Sequence, residues 1–244
     1  FLDYKVEKYN TPDFIDFDPI QIPHKFSTKE DIEIIGFLIA TIAWGNRKMI
    51  IANGEKLITI MGNSPFDYIM NVKPEQVRSS GFVHRTFNSE DLTNFVLSLR
   101  DTYLKGKGLE NLFFHQSKIS MKERLIAFHT EFTAGFKTER SFKHVANPGK
   151  GSAAKRINMF LRWMNRKDKN GVDFGIWNSI PTSELHLPLD VHSGRIARQL
   201  GLLSRKQNDW KAVAELQKNV IEFDPLDPSK YDFALFGLGA FEEF

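Results

Sequence analysis

Cysteine is absent from all 244 residues. That excludes a disulfide framework, a thiolate nucleophile, and a cysteine-ligated zinc or iron–sulfur cluster within this chain. It also fits the cytoplasm, the expected location. Long apolar runs are missing too. The longest, Ile34 to Trp44, is too short to span a bilayer, so no membrane association is expected. Alternating strand-like runs bounded by turns are nearly absent, as are internal repeats and low-complexity linkers. Phe1 is followed by no signal-peptide pattern, which reads as the trimmed start of a soluble protein. Strong net charge is lacking as well: 33 Lys and Arg against 30 Asp and Glu leave +3.

What is present is apolar mass. Hydrophobic residues make up 41% of the chain, including 22 Phe and 4 Trp, so a packed interior is within reach and disorder is not expected. The length suits one large domain or two small lobes sharing a core. Charge is also unevenly placed. Between Lys150 and Lys169 stand seven bases and one acid, Asp168, so this segment carries +6 and leaves the rest at −3. Local excess of this kind is the footprint of a polyanion-binding face, although a solvated helix face produces the same pattern.

Helical periodicity dominates the chain. Ser27 to Glu30 reads as a capping box opening a buried helix through Ile34, Leu38 and Ile42, with a break near Gly45-Asn46 and an amphipathic continuation to Met61. Further helices are expected from Asn88 to Leu104, Met121 to Phe136, Gly151 to Arg166, Asp190 to Leu200, Asp209 to Phe223 and Pro228 to Leu238. Pro12, Pro19 and Pro23 predict an irregular arm over residues 1–26, ahead of one helical domain over 27–244. The class is all-α, a two-lobed helical bundle.

On a helical wheel for 151–166, Ile157, Phe160, Leu161 and Met164 gather on a core-facing side. Lys155, Arg162 and Arg166 fall opposite, as an exposed cationic face. Lys155 also lies in the first turn, where the positive end of the helix dipole disfavours an ammonium and favours the neutral nucleophile that Schiff-base chemistry needs. Just upstream, Pro148-Gly149-Lys150-Gly151 allows a tight turn whose amides suit a phosphate. Asp190 follows Leu187-Pro188-Leu189 and heads the next helix, where an ordinary N-cap is the bland reading. His186, Asp190 and His192 do not match a metal-binding helix spacing, so no metal is expected. Arg195 continues that helix with positive charge.

These blocks resemble the helix-hairpin-helix DNA glycosylase superfamily, the group of endonuclease III and the 8-oxoguanine glycosylases. Pro148-Gly149-Lys150-Gly151 is similar to its DNA-gripping hairpin. Pro188-Leu189-Asp190-Val191-His192 with Arg195 and Leu200-Gly201-Leu202 is similar to its aspartate block. Leu38 to Asn46 is similar to its early helix and the following loop, which reaches into DNA where a base is extruded. More closely, blocks such as AWGNRK, FVHRTFN and KYDFALFGLG resemble an uncharacterised bacterial family of about this length.

The superfamily resemblance implies a cleft between two lobes and excision of a damaged base from double-stranded DNA by a monomer without a cofactor. It places Lys155 and Asp190 as catalytic residues. Asn46, Gly149, Lys150, Gly151, Arg162, His192 and Arg195 would be DNA contacts, and Trp44, Phe82, His84, Arg85 and Trp177 base-pocket candidates. For the aromatics, core packing is the competing reading, whereas His84 and Arg85 need polar partners if buried. Ungapped counting from the hairpin puts Ala153 at the endonuclease III lysine. The longer lysine–aspartate separation of the archaeal 8-oxoguanine glycosylases favours Lys155. If Ala153 is the match, no lyase step exists. A non-catalytic DNA-binding protein and a helical scaffold with an acidic partner remain the alternatives.

Overall fold

The run from Ile34 to Trp44 has no polar side wide enough to face water, and in a computed structural model it forms most of a buried helix. The structure describes residues 1–106, 108–114, 119–242 and 244. Among them the chain is predominantly helical, and its extended strands are limited to a two-residue antiparallel pair, Val83–His84 with Phe87–Asn88. No helix among the described residues is long and apolar enough to cross a membrane.

Contacts divide the chain into two compact units. One comprises residues 18–119 and 124–146, the other residues 1–17, 120–123 and 147–244. The first, the central unit, is built on α3 (Lys29–Ile42), α4 (Arg47–Ile60) and α7 (Ser89–Leu104). Its core is phenylalanine: Phe37 meets Phe95, Phe128 and Phe132 at ring separations of 5.8, 5.7 and 5.1 Å. The α7 start matches expectation, because the Asn88 side chain accepts the amides of Glu90 and Asp91. The expected box at Ser27 and Glu30 does not form. The N-cap is Thr28, whose hydroxyl instead donates to Asp31 at 2.6 Å, and Asp31 also receives the Phe66 amide.

The second, terminal unit gathers α1 (Leu2–Tyr9), α2 (Asp13–Phe17), α10 (Lys155–Asn165), α11 (Val191–Gln199), α12 (Trp210–Ile221) and α13 (Tyr231–Phe241). The expected irregular arm is therefore corrected. Leu2–Tyr9 contains none of the three prolines and is helical, while residues 18–25 make two 3-10 turns that bury Ile20 and Ile22 in the central unit. Helix α1 lies along α13. Tyr9 stacks on Phe241 at 5.7 Å, and Lys5, Lys8 and Tyr9 all bond to Glu242. That cluster holds the Glu242 carboxyl down to about 2.

Gly237 makes the close α1–α13 approach possible, since an added Cβ would lie 2.1 Å from the Tyr9 ring. Gly237→Ala should therefore push α1 away and destabilise by about 1–3 kcal/mol, the usual cost of overpacking, despite the better helix propensity of alanine. Urea unfolding of the two proteins checks this, with an unchanged midpoint as the contrary result.

Candidate active site

Residues 147–154 prepare the start of α10 by turning the backbone twice. Asn147 opens the segment by accepting the Gly149 amide on Oδ1 at 2.8 Å. Pro148–Lys150 forms a 3-10 turn that Gly151 ends at φ +87°, a conformation glycine adopts without steric cost. Ser152 then pairs with Asp209 in an isolated antiparallel bridge, and the Trp210 amide donates to the Gly151 carbonyl at 3.2 Å. Ala154 is left-handed at φ +50° and buried, an unusual state for a residue with a Cβ. These two positive-φ residues keep 151–154 out of the helix, so α10 begins at Lys155 rather than at Gly151.

This geometry corrects one expectation about the hairpin. Gly149, Lys150 and Gly151 are exposed. The Gly149 amide, however, is taken by Asn147, and the Gly151 amide donates to the Pro148 carbonyl at 3.0 Å. Neither points outward as a ready phosphate donor; Lys150 is the group of this turn that faces solvent.

Asp190 does head α11. Its Oδ1 accepts the amides of His192 and Ser193 at 2.9 and 3.0 Å, and the Ser193 hydroxyl receives the Asp190 amide in a reciprocal box. Asn208 donates to the Asp190 carbonyl at 2.8 Å and fixes the turn from behind. Capping therefore occupies Oδ1, while Oδ2 faces Lys155 Nζ at 3.6 Å. Each of these two side chains is 31% exposed. A pair this solvated contributes about 0–1 kcal/mol, so it does little for stability, yet both groups are open to a ligand. The structure thus brings an amine and a carboxylate, 35 residues apart in the chain, to the heads of two helices in one unit.

Below them the cationic face predicted from the wheel is buried. Arg162 is 2% exposed. Its Nε donates to Asp173 at 3.2 Å, its Nη1 bonds to Asp232, and its guanidinium lies 4.3 Å from the Phe233 ring centroid. Arg166, also buried, bonds to Asp168, to Asp173 at 3.1 Å and to Asp227 at 2.9 Å. Arg162 is therefore not the expected DNA contact. The wheel placed it opposite the apolar stripe, but that side of α10 is covered by acids arriving from the following loop and from the first turn of α13. Burial pushes the Asp173 carboxyl up despite its two arginines. Burial likewise raises Asp232 to about 6, with Arg162 opposing, Asp190 adding and Lys155 opposing again. Asp232 was not singled out in the sequence, although an acid within the apolar run YDFALFGLG signals a buried partner.

The other candidates divide by burial. Within the terminal unit, Trp177 is 1% exposed and packs edge-on against Phe160 at 5.3 Å, so it is core and not a pocket wall. His192 and Arg195 lie exposed on α11, where Arg195 donates to Gln199 and to the Phe244 carbonyl. Within the central unit, Phe82 is buried against Phe87 and is likewise core. His84, also buried, meets Asn53 at 3.0 Å and the Trp44 carbonyl at 3.2 Å, so it finds the polar partners its position demanded. Trp44 is half-buried, stacked over His144 at 5.9 Å. Arg85 stays at the surface, in the left-handed region at φ +54°, with its guanidinium on Gly45. Asn46 is exposed and caps α4 by accepting the Met49 amide at 3.2 Å. Among the described residues, no three His, Asp or Glu side chains are grouped to hold a metal ion.

A match to the family described as "Protein of unknown function (DUF2400)" spans residues 18–241. The chain belongs to that family. The matched span contains both Lys155 and Asp190, together with Arg162, Asp173 and Asp232 beneath them, so this DUF2400 member carries the whole constellation inside the family region. No curated protein and no solved structure matches the chain.

Proposed function

We propose that this DUF2400 protein is a DNA glycosylase of the two-lobed helix-hairpin-helix type, with an associated β-lyase step, acting on a damaged base in duplex DNA. The resemblance favours an oxidised purine. One observation carries the reading: the 3.6 Å approach of Lys155 Nζ to Asp190 Oδ2, with both side chains accessible. Lys155 is the amine at that carboxylate, while Ala153 precedes the helix, which supports Lys155 as the lysine position.

Extruding a nucleotide costs a few kcal/mol and is easiest at a lesion, which supplies part of the selectivity. In the chemical step the Asp190 carboxylate stabilises the positive charge developing on the deoxyribose. The Lys155 amine attacks C1′, so the Nζ–C1′ bond forms as the base departs with the bonding pair and takes up a proton. Nζ loses a proton, and the C1′–O4′ bond then opens with a proton delivered to O4′, leaving a C1′=Nζ iminium. The resulting iminium permits β-elimination and strand cleavage. With Arg162 internal and the turn amides engaged, phosphate contacts fall to exposed cations such as Lys150 and Arg195.

The deciding experiment incubates the protein with duplexes carrying single lesions in the presence of borohydride. A covalent adduct is expected with wild type and lost in Lys155→Gln. An adduct that persists in the variant removes the lysine assignment. Absence of adduct, base release and lesion preference together would favour a non-catalytic binding protein or a scaffold.

A further inference from the structure

Three consecutive residues, Asn208 to Trp210, touch the backbone on both sides of the Lys155–Asp190 pair. On the amine side, Asp209 bridges to Ser152, and the Trp210 amide donates to the Gly151 carbonyl at 3.2 Å. Lys155 opens α10 three positions beyond that bridge. On the carboxylate side, Asn208 Nδ2 donates to the Asp190 carbonyl at 2.8 Å. One loop therefore ties together the two segments that carry the pair.

Asn208 is itself held. Arg198, on α11, donates to the carbonyls of Arg205 and Lys206 at 2.8 and 2.9 Å and to Asn208 Oδ1 at 2.6 Å. A guanidinium can only donate and a carbonyl only accept, so both ends of the Asn208 amide are committed in one orientation. Arg205 Nε also bonds Asp209 at 2.7 Å. The fit is close. Gly194 lies inside α11, where alanine would be the better helix former, yet a Cβ there would sit 2.8 Å from Asn208 Oδ1 and 2.9 Å from Arg198 Nη1.

We propose that Asn208 is a positioning residue, which holds Asp190 at its working distance from Lys155. The proposal rests on the reading above, in which this pair performs the chemistry. Asp190 does not need Asn208 to start the helix. Its Oδ1 already serves the amides of His192 and Ser193, and its carbonyl already receives the Gly194 amide at 2.9 Å. The added bond is a tether to the loop that also fixes the approach to Lys155. An ion pair as solvated as this one is too weak to hold its own geometry, so the backbone must do so.

Carbodiimide coupling tests the geometry without DNA. The reagent joins a carboxylate to an amine only where the two meet, so a Lys155–Asp190 amide, read by peptide mass spectrometry, reports their approach. Glu242, at 2.5 and 2.6 Å from Lys5 and Lys8 in the same unit, supplies the internal reference. Wild type should form both kinds of link. In Asn208→Ala the 155–190 link should fall about tenfold against the reference. Single-turnover base release should fall about ten- to a hundredfold, the cost of misplacing a reacting group by about 1 Å, with affinity for lesion-bearing duplex unchanged. A merely structural weakening would not separate rate from affinity in this way. Gly194→Ala, which removes no polar group but crowds Asn208 from its seat, should behave alike, and it decides should Asn208→Ala not fold. An unchanged link ratio in the folded variant overturns the proposal, as does a wild type that forms only the Glu242 links. A reduced ratio with no base release by wild type would keep the tether and remove the glycosylase reading. Equal base release by variant and wild type would keep that reading and remove the role of Asn208.

Discussion

Arg162→Ala is expected to cost about 3–5 kcal/mol in urea unfolding, the largest single-site loss we anticipate in this protein. The guanidinium is buried and serves two carboxylates on different elements, Asp173 and Asp232. Its removal leaves both acids inside the terminal unit with less positive charge than they had. Such a change is far costlier than losing an exposed pair, because the remaining ions cannot turn to water. Arg162→Lys should recover only part of the loss, since a single ammonium cannot offer two directed N–H groups to two acids as the guanidinium fork does.

The deficit should also depend on pH, and the sign follows from the acids. Burial raises Asp232 from 3.8 to about 6, so the folded state binds its proton more tightly than the unfolded chain does. This carboxyl therefore destabilises the fold above pH 6, and acidification through the window from about 6 to 3.8 relieves that cost. In Arg162→Ala the opposing cation is gone, and protonation of the acids relieves still more. The gap between variant and wild type should consequently narrow from pH 8 to pH 5. A gap that widens on acidification would contradict these pairings.

Asp190→Asn is the second large effect expected, and under the proposed glycosylase function it falls on chemistry instead of folding. Asparagine caps helices about as well as aspartate, so α11 should keep its start and the unfolding midpoint should change little. The amide carries no charge to set against a developing oxocarbenium, however, and it cannot assist the amine. Base release under single-turnover conditions should fall by about a thousandfold, within the range such groups supply. Binding to lesion-bearing duplex should be retained or tightened. Equal turnover by Asp190→Asn and wild type would mean that the carboxylate serves only as a cap. Asp190→Ala then separates the two roles further, adding about 1 kcal/mol of lost stability to the lost charge.

Local signals were readable in the sequence, and distant pairing was not. Asn88 and Asp190 were recognisable as helix starts because a cap acts within three residues. The phenylalanine-rich helices of the central unit followed from apolar spacing alone. Arg162 and Arg166 were misplaced because the wheel knows only what lies on α10, whereas their partners Asp173, Asp227 and Asp232 come from elsewhere in the chain. The start of α10 was set four residues early, because nothing in the composition of Ala153-Ala154 announces a left-handed alanine. Helix α1 is a proline-free octet whose helical character is masked in the sequence by the three prolines that follow it. The meeting of Lys155 with Asp190 was legible only through resemblance, as periodicity gave each a separate and ordinary explanation.

The partnership of α1 with α13 has a consequence for biosynthesis. Lys5 and Glu242, joined at 2.5 Å, are separated by 237 positions, so α1 finds its seat on a segment translated long after it. The central unit has its residues in hand once Ala146 has left the ribosome, well before α13 (Tyr231–Phe241) follows. The Lys5–Glu242 and Tyr9–Phe241 contacts cannot form before α13 is made, so the central unit can pack ahead of the terminal one.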